Sequence, residues 1–255
     1  MRILGFDTAT RATTAAIWDS DSDIPATQGR DDPPPGVRPR HTTRLMALVV
    51  DVLERSGTTW ATIDRIAVGV GPGTFTGLRI GVATARALGR AQGIPLVGVS
   101  TLQSLALGAA EVGEGHHGSA DGAPAAASGD AQLAVIDARR GEVFAACWRA
   151  GSRRAPERQQ LVLTPRALAP DALARLAPEL GSSILAVGEG AVEFRQILER
   201  SGMWIPEDDS GLHKVSAINH CRLASGLRAG DPDEVRPEYL RLPDAEINLR
   251  AAGQR

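Results

Sequence analysis

RILGFDTATRATTAAIW, from Arg2 to Trp18, reads as a β-hairpin. Arg2 to Phe6 is a strand that stops at Asp7. Thr8, Ala9 and Thr10 make the turn, and Thr13 to Trp18 returns. The pattern recurs as LAVIDARRGEVFAACW, from Leu133 to Trp148, with a strand into Asp137 and a return from Val143. Asp7 stands eleven residues before Trp18, and Asp137 eleven before Trp148; Ala15-Ala16 align with Ala145-Ala146. Such a coincidence of strand, aspartate, turn and strand describes two related halves.

Outward from the first hairpin, Asp19 to Asp23 is a polar turn and Ile24 to Gln28 is expected as a third, edge strand. RDDPPPGVRPR, Arg30 to Arg40, is a proline-rich loop or semi-rigid spacer. His41-Thr42-Thr43 opens a helix to about Ser56, stopped by Gly57. Its apolar residues Leu45, Met46, Leu48, Val49, Val50, Val52 and Leu53 cover roughly 200° of arc, more than a one-sided core helix needs. Either the helix is deeply buried in its own half, or part of it faces a partner chain.

VGVGPGTFTGLRIGVATARALG, Val68 to Gly89, reads as strand, glycine turn and helix, with Thr74 as N-cap. Gly77, Gly81, Ala85 and Gly89 fall four apart and so form one row on the helix. Each helical glycine costs roughly 1 kcal/mol against alanine, so such a row implies close approach of another backbone. The stretch is no Walker loop, since Gly77 is followed by Leu78-Arg79 rather than Lys-Ser/Thr. The spacing of a Rossmann loop is missing too.

Pro95 to Val99 is a strand, followed by a helix from Ser100 to about Ala110. Glu111 to Asp130 is a Gly/Ala/Ser-rich insert that cannot bury enough apolar surface to order itself, and His116-His117 lie within it. After the second hairpin come a strand at Leu161 to Leu163, helical segments from Pro165 to Ala177, and a strand at Ile184 to Val187. A turn at Gly188-Glu189-Gly190 leads to a helix from Ala191 to Arg200. The last helix is Lys214 to Arg228, and an extended tail starts at Arg236. These boundaries give an N-terminal half at 1–107, an insert at 108–131, and a C-terminal half at 132–242 whose last helix packs back on the first half. A tail follows at 243–255.

Of the 255 residues, 43% are hydrophobic and 23% charged, a globular profile. The net charge of −2 provides no global field for nucleic acid, and 4% aromatics provide no stacking platform. Cys147 and Cys221 make no disulfide framework. MRILGFDTAT lacks the apolar core of a signal peptide, and LMALVVDVL is too short to span a bilayer, so a cytoplasmic home is expected.

Two halves that each open with an aspartate-ending hairpin resemble the duplicated α/β actin/hexokinase/Hsp70 fold. MRILGFDTAT, His41-Thr42, GVGPGTFTGLRIGVATARALG, PLVGVSTLQSLA and AVIDARRGEVFAACW together resemble the TsaB (YeaZ) family. RPEYLRL at Arg236 to Leu242 is a weaker echo. That family supplies the small subunit of the bacterial machinery that makes threonylcarbamoyladenosine in tRNA, next to the anticodon of tRNAs reading ANN codons.

The resemblance implies a subunit without catalytic power. It would pair through its N-terminal half with the catalytic paralogue TsaD and be joined by the ATPase TsaE. It would meet tRNA only through that complex, and could form a homodimer in isolation. No intrinsic cofactor is expected: ATP is used by the complex and the metal is held by the partner. Leu45, Met46, Val49, Leu53, Gly77, Gly81 and Ala85 are the expected partner-interface residues. Asp7, Thr8 and Asp137 are degenerate phosphate-turn positions, expected to face one another across a cleft. The residues agree with a non-catalytic reading. The paralogue's His-x-x-x-His helix motif is absent, because His41 is followed four residues later by Leu45. His213 and His220 lack an evident third ligand, and there is no Gly-x-Ser-x-Gly elbow. Ala9 stands where a kinase of this fold needs glycine, and Arg139-Arg140 are bulky where a phosphate would lie. The alternatives are a phosphotransferase of the same fold, with Asp7 or Asp137 positioning Mg²⁺-ATP, and a glycoprotease-like metallopeptidase.

Overall fold

The computed structural model of the chain describes residues 1–22, 25–34, 36–113, 130–149 and 160–241. The first half is a five-stranded sheet in the order β3-β2-β1-β4-β5. Its strands are β1 (Arg2–Asp7), β2 (Thr13–Asp19), β3 (Thr27–Asp31), β4 (Arg65–Gly71) and β5 (Leu96–Ser100). The second is a four-stranded sheet, β8-β7-β6-β9, built from β6 (Ala131–Arg139), β7 (Glu142–Arg149), β8 (Gln160–Leu168) and β9 (Ile184–Val187). The topologies coincide. In each half a hairpin pairs antiparallel with a third strand, and its first strand pairs parallel with a strand that follows a crossover. This is the duplicated actin/hexokinase-like arrangement.

The repeat is topological rather than register-identical. Ala15 pairs with Phe6, whereas the aligned Ala145 pairs with Val135. The second turn is tighter: Arg139, Arg140 and Gly141 all take positive φ, and pairing continues past a bulge to Arg139 and Glu142.

Both sheets are apolar on both faces because both faces are covered. Helices α1 (His41–Arg55) and α2 (Phe75–Gln92) pack Leu45, Val49, Val52, Val82 and Ala85 onto Leu4, Phe6, Ile66 and Val68. The opposite face of this sheet carries Ile3, Ala16, Ala67 and Val97 against Ala217, Cys221 and Ala224 of α8 (Ala217–Gly226). α8 runs so close to β1 that a Cβ on Gly5 would lie 2.5 Å from Cys221 Sγ. Helix α3 (Thr101–Gly113) lies beside α8 and sets Leu102, Leu105 and Ala106 on Ala134, Ile136 and Ala146 of the second sheet. The outer face of that sheet is closed by α4 (Pro170–Arg175), α5 (Ala177–Leu180), α6 (Glu189–Glu193) and α7 (Arg195–Arg200). The layers are therefore α1/α2, first sheet, α3/α8, second sheet, and α4 to α7.

Beyond α8 an extended strap crosses both halves. Leu96 and Gly230 form a β-bridge, Glu238 N–H donates to Val70 O at 2.7 Å, and Arg241 reaches Glu142 at 3.0 Å. Val235 packs on the first core and Leu240 on the core beneath the second sheet.

Several boundaries differ from expectation. β3 begins at Thr27, and Asp23 and Ile24 lie outside the described residues. β8 continues through Pro165, where a helix was expected. It is an edge strand, so one missing N–H is tolerated, and Val143, Phe144 and Ala145 hold Leu168, Ala167 and Arg166 in the ladder. The expected helix over Ala191 to Arg200 is two pieces broken at Phe194. α3 runs to Gly113, past the expected boundary at 107; most of the insert, with its histidine pair, lies outside the described residues. Among the described residues no helix is long and apolar enough to cross a membrane.

Candidate functional site

Asp7 ends β1 with its side chain out of water. It accepts the Ala9 N–H at 2.6 Å on Oδ1 and the Thr101 hydroxyl at 2.9 Å on Oδ2. His220 Nε2 lies 3.0 Å from Oδ2, its N–H not aligned for a hydrogen bond. Burial pushes the Asp7 pKa up; His220 and the two hydrogen bonds outweigh it and hold the carboxyl below its usual range. Gly69 makes room for the pair, since a Cβ there would sit 1.8 Å from Oδ2. On the other side of the ring, His220 Nδ1 is 2.9 Å from Ser104 Oγ and 3.0 Å from Ser216 O. The cluster therefore ties β1, α3 and α8 together.

Asp137 makes the same local turn, accepting the Arg139 N–H at 2.7 Å. Unlike Asp7 it is partly exposed, and its Oδ2 pairs with the Arg139 guanidinium at 2.9 Å. A cavity of about 320 Å³ lies between the halves, bordered by Thr10, Arg11, Ile136, Glu189, His213 and Lys214. Burial, then the charge of Asp137, push the Glu189 pKa up, with Arg139 and Arg11 opposing. His213 closes the neighbouring loop: its Nδ1 accepts the Gly188 N–H at 3.1 Å, and Nε2 faces Pro206 O at 3.2 Å. Burial lowers its pKa.

These residues do not fit the Mg²⁺-nucleotide that the fold's kinases hold. Both oxygens of Asp7 are already engaged and shielded from solvent. Asp137 is neutralised by its own turn, and a carboxyl group, Glu189, stands in the cavity. Among the described residues no three His, Cys, Asp or Glu side chains group to hold a metal. Cys147 and Cys221 are free and buried, the Cys147 thiol pushed up to about 12 by burial, so neither is a poised nucleophile.

The expected interface residues divide sharply. A Cβ on Gly77 would lie 1.9 Å from Thr8 O, and one on Gly81 2.5 Å from Thr8 Oγ1. Thr8 Oγ1 in turn donates to Gly77 O at 2.7 Å. The close-approach row, with buried Ala85, thus serves packing of α2 on the chain's own first turn. Leu45, Val49 and Leu53 are also core, 1%, 0% and 7% exposed. Of the seven, only Met46, 39% exposed, presents its side chain outward, and Val50, 44% exposed, joins it. The exposed residues of the two helices include the uncharged Thr42, Thr43, Met46, Ala47 and Val50 on α1 and Thr76, Ala83 and Ala87 on α2, with charge at Glu54, Arg55, Arg79 and Arg90.

The family model for TsaD, tRNA N6-adenosine threonylcarbamoyltransferase, matches residues 32–153. The tRNA threonylcarbamoyladenosine biosynthesis protein TsaB of Escherichia coli (strain K12) is 33% identical over 94% of this chain and 95% of its own length. The chain belongs to the TsaB family. A tRNA N6-adenosine threonylcarbamoyltransferase of Sphingopyxis alaskensis is 34% identical over 41% of the chain and 33% of its own length. Among solved structures, YeaZ from Pseudomonas aeruginosa superposes with a TM-score of 0.71 at 23% identity, covering 93% of this chain and 100% of that one, which shows a shared fold.

Within this TsaB-family chain, sequence reasoning found Asp7 and Asp137 but missed the partner of Asp7. His220 lies on the last helix, and nothing local marks it. The usable signal was a stretch around it with a single charged residue, AINHCRLASG, which leaves room for a buried histidine.

Proposed function

We propose that this chain is the accessory subunit of a threonylcarbamoyltransferase complex acting on tRNA, and that it carries no chemistry of its own. It docks on the catalytic paralogue TsaD, in a complex joined by the ATPase TsaE, and that assembly modifies the adenosine next to the anticodon of tRNAs reading ANN codons. ATP is consumed by the complex and the metal belongs to the partner. tRNA is met through the assembly, consistent with a net charge of −2.

The outward face of α1 and α2 carries this reading. From Thr42 to Val50 its one charged residue is Arg44, which is paired with Asp31 at 3.2 Å, and it falls inside the segment matched by the TsaD model. A paralogue with the same helix pair can present an equivalent face, so the two chains can pair about a pseudo-twofold axis. The engaged state of Asp7 argues against the phosphotransferase alternative.

The test is reconstitution with the TsaD paralogue of the same organism. The pair should co-elute, and tRNA modification should require both chains. ATP turnover or tRNA modification by the isolated chain would overturn the reading.

A further inference from the structure

Arg79, Arg86 and Arg90 are spaced seven and four residues apart, so they lie along one side of α2. The strap engages two of them with one shared carboxylate: Asp233 pairs with Arg86 at 3.2 Å and also with Arg90. Arg79 has no such carboxylate among the described residues. It is nonetheless held in place. Its guanidinium carbon lies 3.8 Å above the Phe75 ring, and its Nε donates to the Tyr239 hydroxyl at 3.3 Å. Phe75 and Tyr239 are in contact, ring centroids 5.1 Å apart, and the strap is anchored beside them by the Glu238 N–H to Val70 O bond.

The two terminal nitrogens of Arg79 are therefore presented as a fork whose orientation is already set. Such a fork matches a carboxylate in a bidentate pair, and less ordering entropy is lost on binding. Thr76 and Ala83, one turn to either side, are exposed and uncharged, so Arg79 stands between them on the outward side of α2.

We propose that Arg79 is a preset receptor for one carboxylate side chain of the paralogue docked on the α1–α2 face, an inference that rests on the docking reading above. A protein carboxylate fits better than an RNA phosphate. Backbone binding to nucleic acid draws on several free cations together, and here the two neighbouring arginines are already engaged by Asp233.

The experiment measures affinity between the full chain and the TsaD paralogue across a salt series, for Arg79→Met, Arg79→Lys, Tyr239→Phe and Val50→Asp. Arg79→Met keeps an apolar stem on Phe75. It is expected to weaken binding about tenfold at low salt and to flatten the salt dependence. Arg79→Lys should fall in between, lacking the fork, and Tyr239→Phe should lose a few-fold because Nε is released. Wild-type affinity and salt slope in Arg79→Met, with binding lost in Val50→Asp, would overturn the receptor and leave the docking face standing. Wild-type affinity in Val50→Asp as well would remove the docking face and the receptor with it. An intact Arg79→Met pair whose complex retains less tRNA would assign the fork to an RNA phosphate and overturn the inference.

Discussion

Asp7, at the end of the first strand, and His220, in the middle of the last helix, meet at 3.0 Å with both side chains out of water. The pair closes the chain on itself. It fixes α8 beneath the first sheet, and it uses up the aspartate that a kinase of this fold would turn towards a metal.

Replacing Asp7 by Ala strands His220 and the Thr101 hydroxyl in a dry site. A loss of about 1–3 kcal/mol is expected for each buried polar group left without its partner. Asp7→Asn keeps an acceptor for the Ala9 N–H and sets an amide NH2 in place of the oxygen that accepts from Thr101, whose hydroxyl can turn to accept; it should cost less, without abolishing tRNA modification by the assembled complex. Urea unfolding and a reconstituted modification assay check the two halves of this statement. Loss of modification in a folded, partner-binding Asp7→Asn chain would place chemistry at Asp7.

The same carboxyl contributes a defined pH dependence. Its pKa is held below the unfolded value of about 3.9, so its contribution is complete above that value and is lost as pH falls through the folded pKa. The stability gap between wild type and Asp7→Asn should accordingly be wide near neutral pH and narrow progressively as pH falls below about 3.9.

Glu189 should behave in the opposite sense. Burial and Asp137 raise its pKa above the unfolded value of about 4.3. The folded chain then holds a proton that the unfolded chain has released, and stability falls as pH rises through that window. Glu189→Gln is expected to raise the denaturation midpoint at neutral pH and to leave it unchanged below about pH 4. A midpoint that is unchanged at neutral pH would mean the carboxylate is well solvated.

Gly81 and Thr8 should be energetically coupled. A Cβ on Gly81 would lie 2.5 Å from Thr8 Oγ1, so Gly81→Ala should lower the melting temperature of the isolated chain. Thr8→Ala gives up one hydrogen bond to Gly77 O, about 1 kcal/mol, but removes the obstructing atom. The double variant is expected to be more stable than the sum of the single effects predicts, a result read from a thermal double-mutant cycle. Gly81→Leu should unfold the chain rather than merely repel a partner.

For the outward face, Val50→Asp and Met46→Asp place charge on an exposed position without touching the core. Both should leave the melting temperature within about 0.5 kcal/mol of wild type. Each should weaken association with the paralogue at least about tenfold. Isothermal titration separates this from simple unfolding.

The sequence alone determined the duplication, the identity of nearly every strand, and the two helices that flank the glycine turn. Those features are local: an alternation, a run, a glycine or an aspartate at a turn reports on its own few neighbours. It was also enough to single out Asp7 and Asp137, because each caps its turn through an N–H only two residues away. Tertiary structure alone decided which face each residue took. Glycines spaced four apart announce close approach but not to what, and only the folded chain shows Thr8 in that place. A wide apolar arc on α1 cannot say which part is core. The sheet selected Leu45, Val49 and Leu53 and left Met46 and Val50 outside. The pairing of Asp7 with His220, and of Arg79 with Tyr239, joins residues far apart in the chain, and such partners are chosen by the packing of whole layers rather than by any pattern within one segment.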